Sequence, residues 1–211
     1  MSLPRRFLAP QRAAFVKSPD GFPFFNKPSR VVVLHSLYKR VLPAVCPALW
    51  GALDPQTDIL YLYSEHNQNN AEPAIHAQGI RSRGKWIPGL IDPTANGRSQ
   101  SDGWNPLEIY QDLGLTLEPV EDSEQSGVCE VLQRMRSGRL KVFGTLENFF
   151  QQYRLYRRDE QGQVVKQNDL LMNCLRHLCV SGSDQMITEP KRSPRQYGPA
   201  IAPNTPQGWM E

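Results

Sequence analysis

Hydrophobic and polar positions fall into a regular texture from residue 48 onward. Residues 48–53 and 59–63 are two apolar-rich runs joined by Asp54-Pro55-Gln56-Thr57-Asp58. That linker carries turn chemistry, so the pair predicts a β-hairpin whose two aspartates serve the turn. A helix is predicted over 73–83, with Pro73 suited to its first turn and a weak apolar face through Ile75 and Ile80. Residues 87–91 lack alternation and are bounded by Gly84 before and by Pro93 and Gly97 after. Such a run predicts a buried strand covered on both faces, and it delivers Asp92 to the strand's C-terminal end, where open α/β sheets hold ligands. Asn105-Pro106 then opens a helix closed by Gly114, 115–120 reads as a strand, and 123–136 as a helix stopped by Ser137-Gly138. A strand over 140–143 leads into an amphipathic helix over 145–158 that carries Phe149, Phe150, Tyr153 and Tyr156. The last periodic segment is a helix over 170–180, opened by Asn168-Asp169 and ended by Ser181-Gly182.

The two ends read differently. Over 1–47 the only strand-like run is Val31-Val32-Val33-Leu34, and eight Lys or Arg stand against the single acid Asp20. We read an irregular basic segment over 1–47, a folded domain over 48–182 and a flexible, proline-rich tail over 183–211. The 211 residues are 39% hydrophobic and 21% charged, with 18 prolines gathered towards both ends, which suits one domain plus extensions. A net charge of +3 permits nucleic-acid binding without demanding it. The four cysteines form no CxxC pair and have no paired histidines nearby, which excludes a zinc motif and fits buried, reduced thiols. No apolar run approaches the roughly 20 residues that span a bilayer.

The order strand, hairpin, helix, strand with Asp92, helix, strand, helix, strand, helix is the outline of a ribonuclease H-like α/β fold: a mixed sheet flanked by helices. In that outline carboxylates gather at one sheet edge around hard divalent cations such as Mg2+ or Mn2+, and two metals stabilise both oxygens of phosphodiester cleavage. Arg98, in the polar loop after Asp92, is a candidate phosphate contact, as are Arg157, Arg158 and Lys166 around the basic-aromatic end of the 145–158 helix.

Several stretches together resemble the C-terminal nuclease domain of the large terminase subunits of tailed phages. They are Leu49-Trp50-Gly51-Ala52-Leu53-Asp54 with Tyr61-Leu62-Tyr63-Ser64-Glu65-His66, then Glu72-Pro73-Ala74-Ile75-His76-Ala77 and Ile87-Pro88-Gly89-Leu90-Ile91-Asp92-Pro93. Tyr153-Arg154-Leu155-Tyr156-Arg157-Arg158-Asp159-Glu160 and Lys166-Gln167-Asn168-Asp169-Leu170-Leu171-Met172 complete the set. The resemblance implies a metal-dependent DNA endonuclease that cuts phage DNA during packaging in the bacterial host cytoplasm. Its implied partners are double-stranded DNA, an ATPase motor, a small subunit and the portal. It also implies that Asp92 and Asp169 serve as catalytic metal ligands, with Asn173 a weak third, since many relatives carry Asp where Asn173 stands. An amide offers a neutral oxygen but no charge. Relatives further place an Asp on the first strand, whereas no Asp or Glu occurs between Gly21 and Leu53 here. No GxxxxGK[ST] loop is present, so the resemblance implies a separately encoded nuclease half or a truncated, prophage-derived form. Because two-metal chemistry depends on carboxylate charge, the alternative is a catalytically inactive nucleic-acid- or portal-binding module on the same fold.

Overall fold

The computed structural model of the chain describes residues 15–16, 29–34, 37–39, 42–92, 105–120, 124–165, 167 and 169–188. In chain order the strands and helices are β1 (Phe15–Val16), β2 (Ser29–Leu34), β3 (Leu37–Lys39), β4 (Leu42–Val45), β5 (Ala48–Asp54), β6 (Ile59–His66), α1 (Pro73–Arg81), β7 (Gly89–Ile91) and α2 (Pro106–Asp112). They continue with β8 (Leu117–Pro119), α3 (Glu124–Arg136), β9 (Leu140–Phe143), α4 (Glu147–Leu155), α5 (Leu170–His177), a π-turn (Leu178–Gly182), α6 (Ser183–Gln185) and β10 (Ile187–Thr188).

The main sheet runs β1-β9-β6-β5-β2-β7-β8, with β10 pairing the start of β2. β5 is antiparallel to both β6 and β2, while β2 runs parallel to β7 and β7 parallel to β8. Side chains of β2 alternate between two cores, as a period of two requires. Val31 and Val33 enter the layer covered by α3, α4 and α5, and Val32 and Leu34 enter the layer covered by α1 and α2. A strand buried on both faces needs no polar alternation, which is why Val31 to Leu34 form one continuous apolar run.

Two domain boundaries therefore move. β2 lies in the middle of the sheet, so the boundary expected between residues 47 and 48 falls inside the fold. The tail expected from residue 183 is also part of the structure as far as residue 188, since α6 extends the last helix and β10 pairs Ile187 with Arg30. The helix expected over 145–158 is shorter, because Tyr156 turns to an extended conformation (φ −69°, ψ 117°) and leads into a bridge between Arg158 and Val164.

Local chemistry explains the other joints. Asp54 accepts from the Gln56 N–H and the Thr57 hydroxyl, and Asp58, at φ 52°, binds Arg134 and Arg139, so both aspartates serve the hairpin turn. Asn105 caps α2 by accepting from the Leu107 N–H at 3.1 Å. Helix α4 has no cap of its own; Glu65 on β6 supplies one, accepting from the Asn148 and Phe149 N–H groups at 2.9 and 2.8 Å. The π-turn rests on the sheet at Gly51, where an added Cβ would come within 2.7 Å of the Leu178 side chain. Only glycine allows Leu178 this approach.

On the opposite face, Arg83 ties the end of α1 to β6. It donates to the Ser64 hydroxyl and the Glu65 carbonyl, and its guanidinium lies 4.5 Å from the Trp50 ring centroid. His66 and His76 meet edge to face, with Nε2 and Nδ1 3.0 Å apart. Burial, then the neighbouring His76 and Arg83, push the His66 ring down to about 4, so at neutral pH this imidazole carries no charge. Among the described residues, no helix is long and apolar enough to cross a membrane.

Candidate functional site

Strand β7 is buried along its whole length, and the Asp92 N–H continues its ladder by donating to the Leu34 carbonyl at 3.0 Å. By pleat alternation Asp92 follows Leu90 onto the α5 side of the sheet. Asp92 is only 6% exposed there. A buried carboxylate is costly without a partner. Its partner is His177, whose Nε2 lies 3.1 Å from Asp92 Oδ2, and the imidazole itself is 4% exposed. An ionised carboxylate only accepts, so Nε2 of His177 carries the donated hydrogen.

Helix α5 presents the other candidates at a four-residue spacing, which stacks them on one face. Asp169 is the N-cap, and its carbonyl accepts from the Asn173 N–H at 2.9 Å. Asn173 Nδ2 lies 3.4 Å from Asp169 Oδ2, and Asn173 Oδ1 accepts from Arg176 Nη2 at 2.7 Å. His177 follows one turn after Asn173. With a rise of about 1.5 Å per residue, Asp169 stands about 12 Å along the axis from His177. Asp92 therefore joins α5 through its last turn, while Asp169 occupies its first.

Three of the four cysteines are buried as expected, whereas Cys129 is exposed on α3. Cys174 sits between these residues on α5, and burial, followed by the charges of Cys46 and Asp92, holds its thiol far above the usual range. Burial likewise pushes Cys46 and Cys179 up to about 12. A thiol so raised is neither a ready nucleophile nor a ready ligand.

Of the expected phosphate contacts, Arg157 is exposed, and Arg158 donates from Nη1 to the Gly162 carbonyl at 2.6 Å, closing the small hairpin beyond α4. Arg98, Lys166 and Asn168 lie outside the described residues. Two further residues shape this site, Arg176 and His177, neither of them among the residues the sequence pattern singles out. The four-residue step from Asp169 through Asn173 to His177 was the available signal.

The described residues alone do not assemble a two-metal centre. Such a centre holds its ions about 3.5–4 Å apart between several carboxylates. Here β2, the parallel neighbour of β7, bears no acid, and among the described residues no group of three or more His, Cys, Asp or Glu is placed to hold a metal ion.

The strand order β6-β5-β2-β7-β8, the reversal of direction between β5 and β2, and the closing helix beside β7 define a ribonuclease H-like nuclease fold. The solved nuclease domain of the large terminase of phage P22 superposes with a TM-score of 0.66 at 24% identity, covering 78% of this chain and 86% of that domain. In sequence the chain is 33% identical over 138 residues to the large terminase subunit of Salmonella phage P22, a match spanning 61% of this chain and 27% of the relative. The chain is thus similar in sequence to phage terminase large subunits and has the fold of their nuclease domains, while spanning about a quarter of the length of the relative it matches. The nuclease domain of the bacteriophage SPP1 large terminase, solved with bound Mn, shares the fold with a TM-score of 0.53 at 12% identity, covering 74% of this chain and 86% of that one. No family model matches the chain.

Proposed function

We propose that this chain works on double-stranded DNA in phage DNA packaging, in the host cytoplasm, as a terminase-type module that holds DNA without cutting it. The observation that carries this reading is the Asp92–His177 pair beside a β2 strand with no acid. Metal-dependent cleavage requires converging carboxylate charge, and among the described residues no group of three or more acids or other ligands is placed to supply it. Contact with DNA is assigned to the basic end of α4, where Arg154 and Arg157 are exposed next to the 158–164 hairpin, together with Arg98 and Lys166. Such contacts go to phosphates and carry no sequence preference. The ATPase motor, the small subunit and the portal are the protein partners this role calls for.

The second reading is a Mg2+- or Mn2+-dependent endonuclease with Asp92, Asp169 and Asn173 as ligands. It is favoured by the intact Asp92 at the β7 end and by the Mn bound to the SPP1 relative. One assay separates the two. Linear duplex is expected to shift in a gel at low salt and to release as salt rises, with an Arg154→Ala/Arg157→Ala variant weaker on every sequence. Supercoiled plasmid with Mn2+ is expected to stay supercoiled. Nicking that disappears in a folded Asp92→Asn variant establishes the endonuclease instead, and absence of any shift at low salt removes DNA as the partner.

A further inference from the structure

We propose that helix α5 closes the sheet edge to cations with its own side chains: Arg176 and His177 occupy, on Asn173 and Asp92, oxygens that a divalent ion would use. The proposal rests on the terminase-type reading of these positions but not on DNA binding.

Three oxygens of the three candidate ligands each already meet a donor from α5. Asp92 Oδ2 is 3.1 Å from His177 Nε2, Asn173 Oδ1 is 2.7 Å from Arg176 Nη2, and Asp169 Oδ2 is 3.4 Å from Asn173 Nδ2. The two shorter contacts come from adjacent residues of one helical turn. Both donors are built into the fold. His177 is 4% exposed and Arg176 8% exposed, and Arg176 packs so closely on α3 that a Cβ at Gly127 would lie 2.9 Å from Arg176 Cβ. A guanidinium does not lose its proton in a protein, so a permanent positive charge sits beside Asn173. Any metal ion approaching that amide meets this charge, and it meets an Asp92 oxygen already bonded.

One consequence separates this account from a simple lack of carboxylates. Asn173→Asp alone does not rebuild a ligand, because the new carboxylate pairs with Arg176 at the three-residue spacing. Opening the edge requires removal of the donors as well, as in Asn173→Asp/Arg176→Gln/His177→Gln.

The test is thermal melting of the full chain with and without 5 mM MnCl2, which reads metal binding independently of cleavage. Wild type and Asn173→Asp are expected to shift by less than ~1 °C, and the triple variant by about 5 °C, the rise for a ligand well above its Kd in a protein of this size. A wild-type rise that vanishes in Asp92→Asn overturns the proposal. So does a folded triple variant that ignores Mn2+. Should the triple variant fail to fold, Asn173→Asp/Arg176→Gln takes its place: a rise in Mn2+ upholds the closed edge and a flat response overturns it. A failed gel shift removes the DNA-binding role and leaves this result standing.

Discussion

Asp92→Ala is expected to destabilise the fold by about 1–3 kcal/mol, the usual cost of leaving a buried hydrogen-bonding group without its partner. The reason is His177, almost fully buried and donating to Asp92. With the carboxylate gone, its ring keeps the desolvation cost of a polar donor and loses the acceptor. Asp92→Asn retains an oxygen that accepts from Nε2 and is expected to lose less. In a cluster of metal-binding carboxylates the sign differs: without metal the acids repel, and removing one leaves stability unchanged or raised. Urea denaturation of the variants in EDTA measures this directly. A loss below ~1 kcal/mol for Asp92→Ala contradicts the structural role assigned to the pair.

Trp50→Ala is expected to cost about 3–5 kcal/mol, comparable with the whole stability of many domains. Trp50 is 0% exposed in the core between the sheet and helices α1 and α2. It also underlies the Arg83 guanidinium that binds Ser64, Gly79 and Glu65, so its loss loosens the end of α1 as well as leaving a cavity. Far-ultraviolet dichroism and urea midpoints report the change. A variant that melts within 2–3 °C of wild type, equivalent to about 1 kcal/mol, contradicts this packing.

Much of the architecture was legible because local chemistry sets it. Asp54 through Asp58 fix the hairpin, Asn105-Pro106 fixes the start of α2, and Ser137-Gly138 ends α3 with Gly138 at φ 72°. The apolar run ending at Asp92 is a buried strand for the reason its missing alternation implied. Other features depend on distant partners. The four apolar residues from Val31 become a central strand only because β5 and β7 pair with them on either side, and the basic, proline-rich surroundings give no sign of that. Ser181-Gly182 resembles a helix stop. Gly182 is instead absorbed into the π-turn, where an added Cβ would meet Leu178 and Val31 at 3.4 Å, and the helical path continues to Gln185.

The site divides in the same way. Asp92 at a strand end and Asp169 at a helix start follow from local signals, as does the four-residue step to Asn173. The pairing of Asp92 with His177 joins residues 85 positions apart, and no local pattern announces it. The Arg176 contact to Asn173 was available from spacing alone, yet its importance depends on burial against Gly127 of another helix. Charge at a sheet edge is thus readable one residue at a time, whereas its neutralisation is a property of packing.

The measurement that bears most directly on the closed edge is anomalous diffraction from a crystal soaked in Mn2+ near neutral pH. The account predicts no manganese peak beside Asp92, with His177 Nε2 still in hydrogen-bond contact with the carboxylate. A peak bonded to Asp92 and Asn173, with the His177 ring or the Arg176 guanidinium turned away, contradicts it.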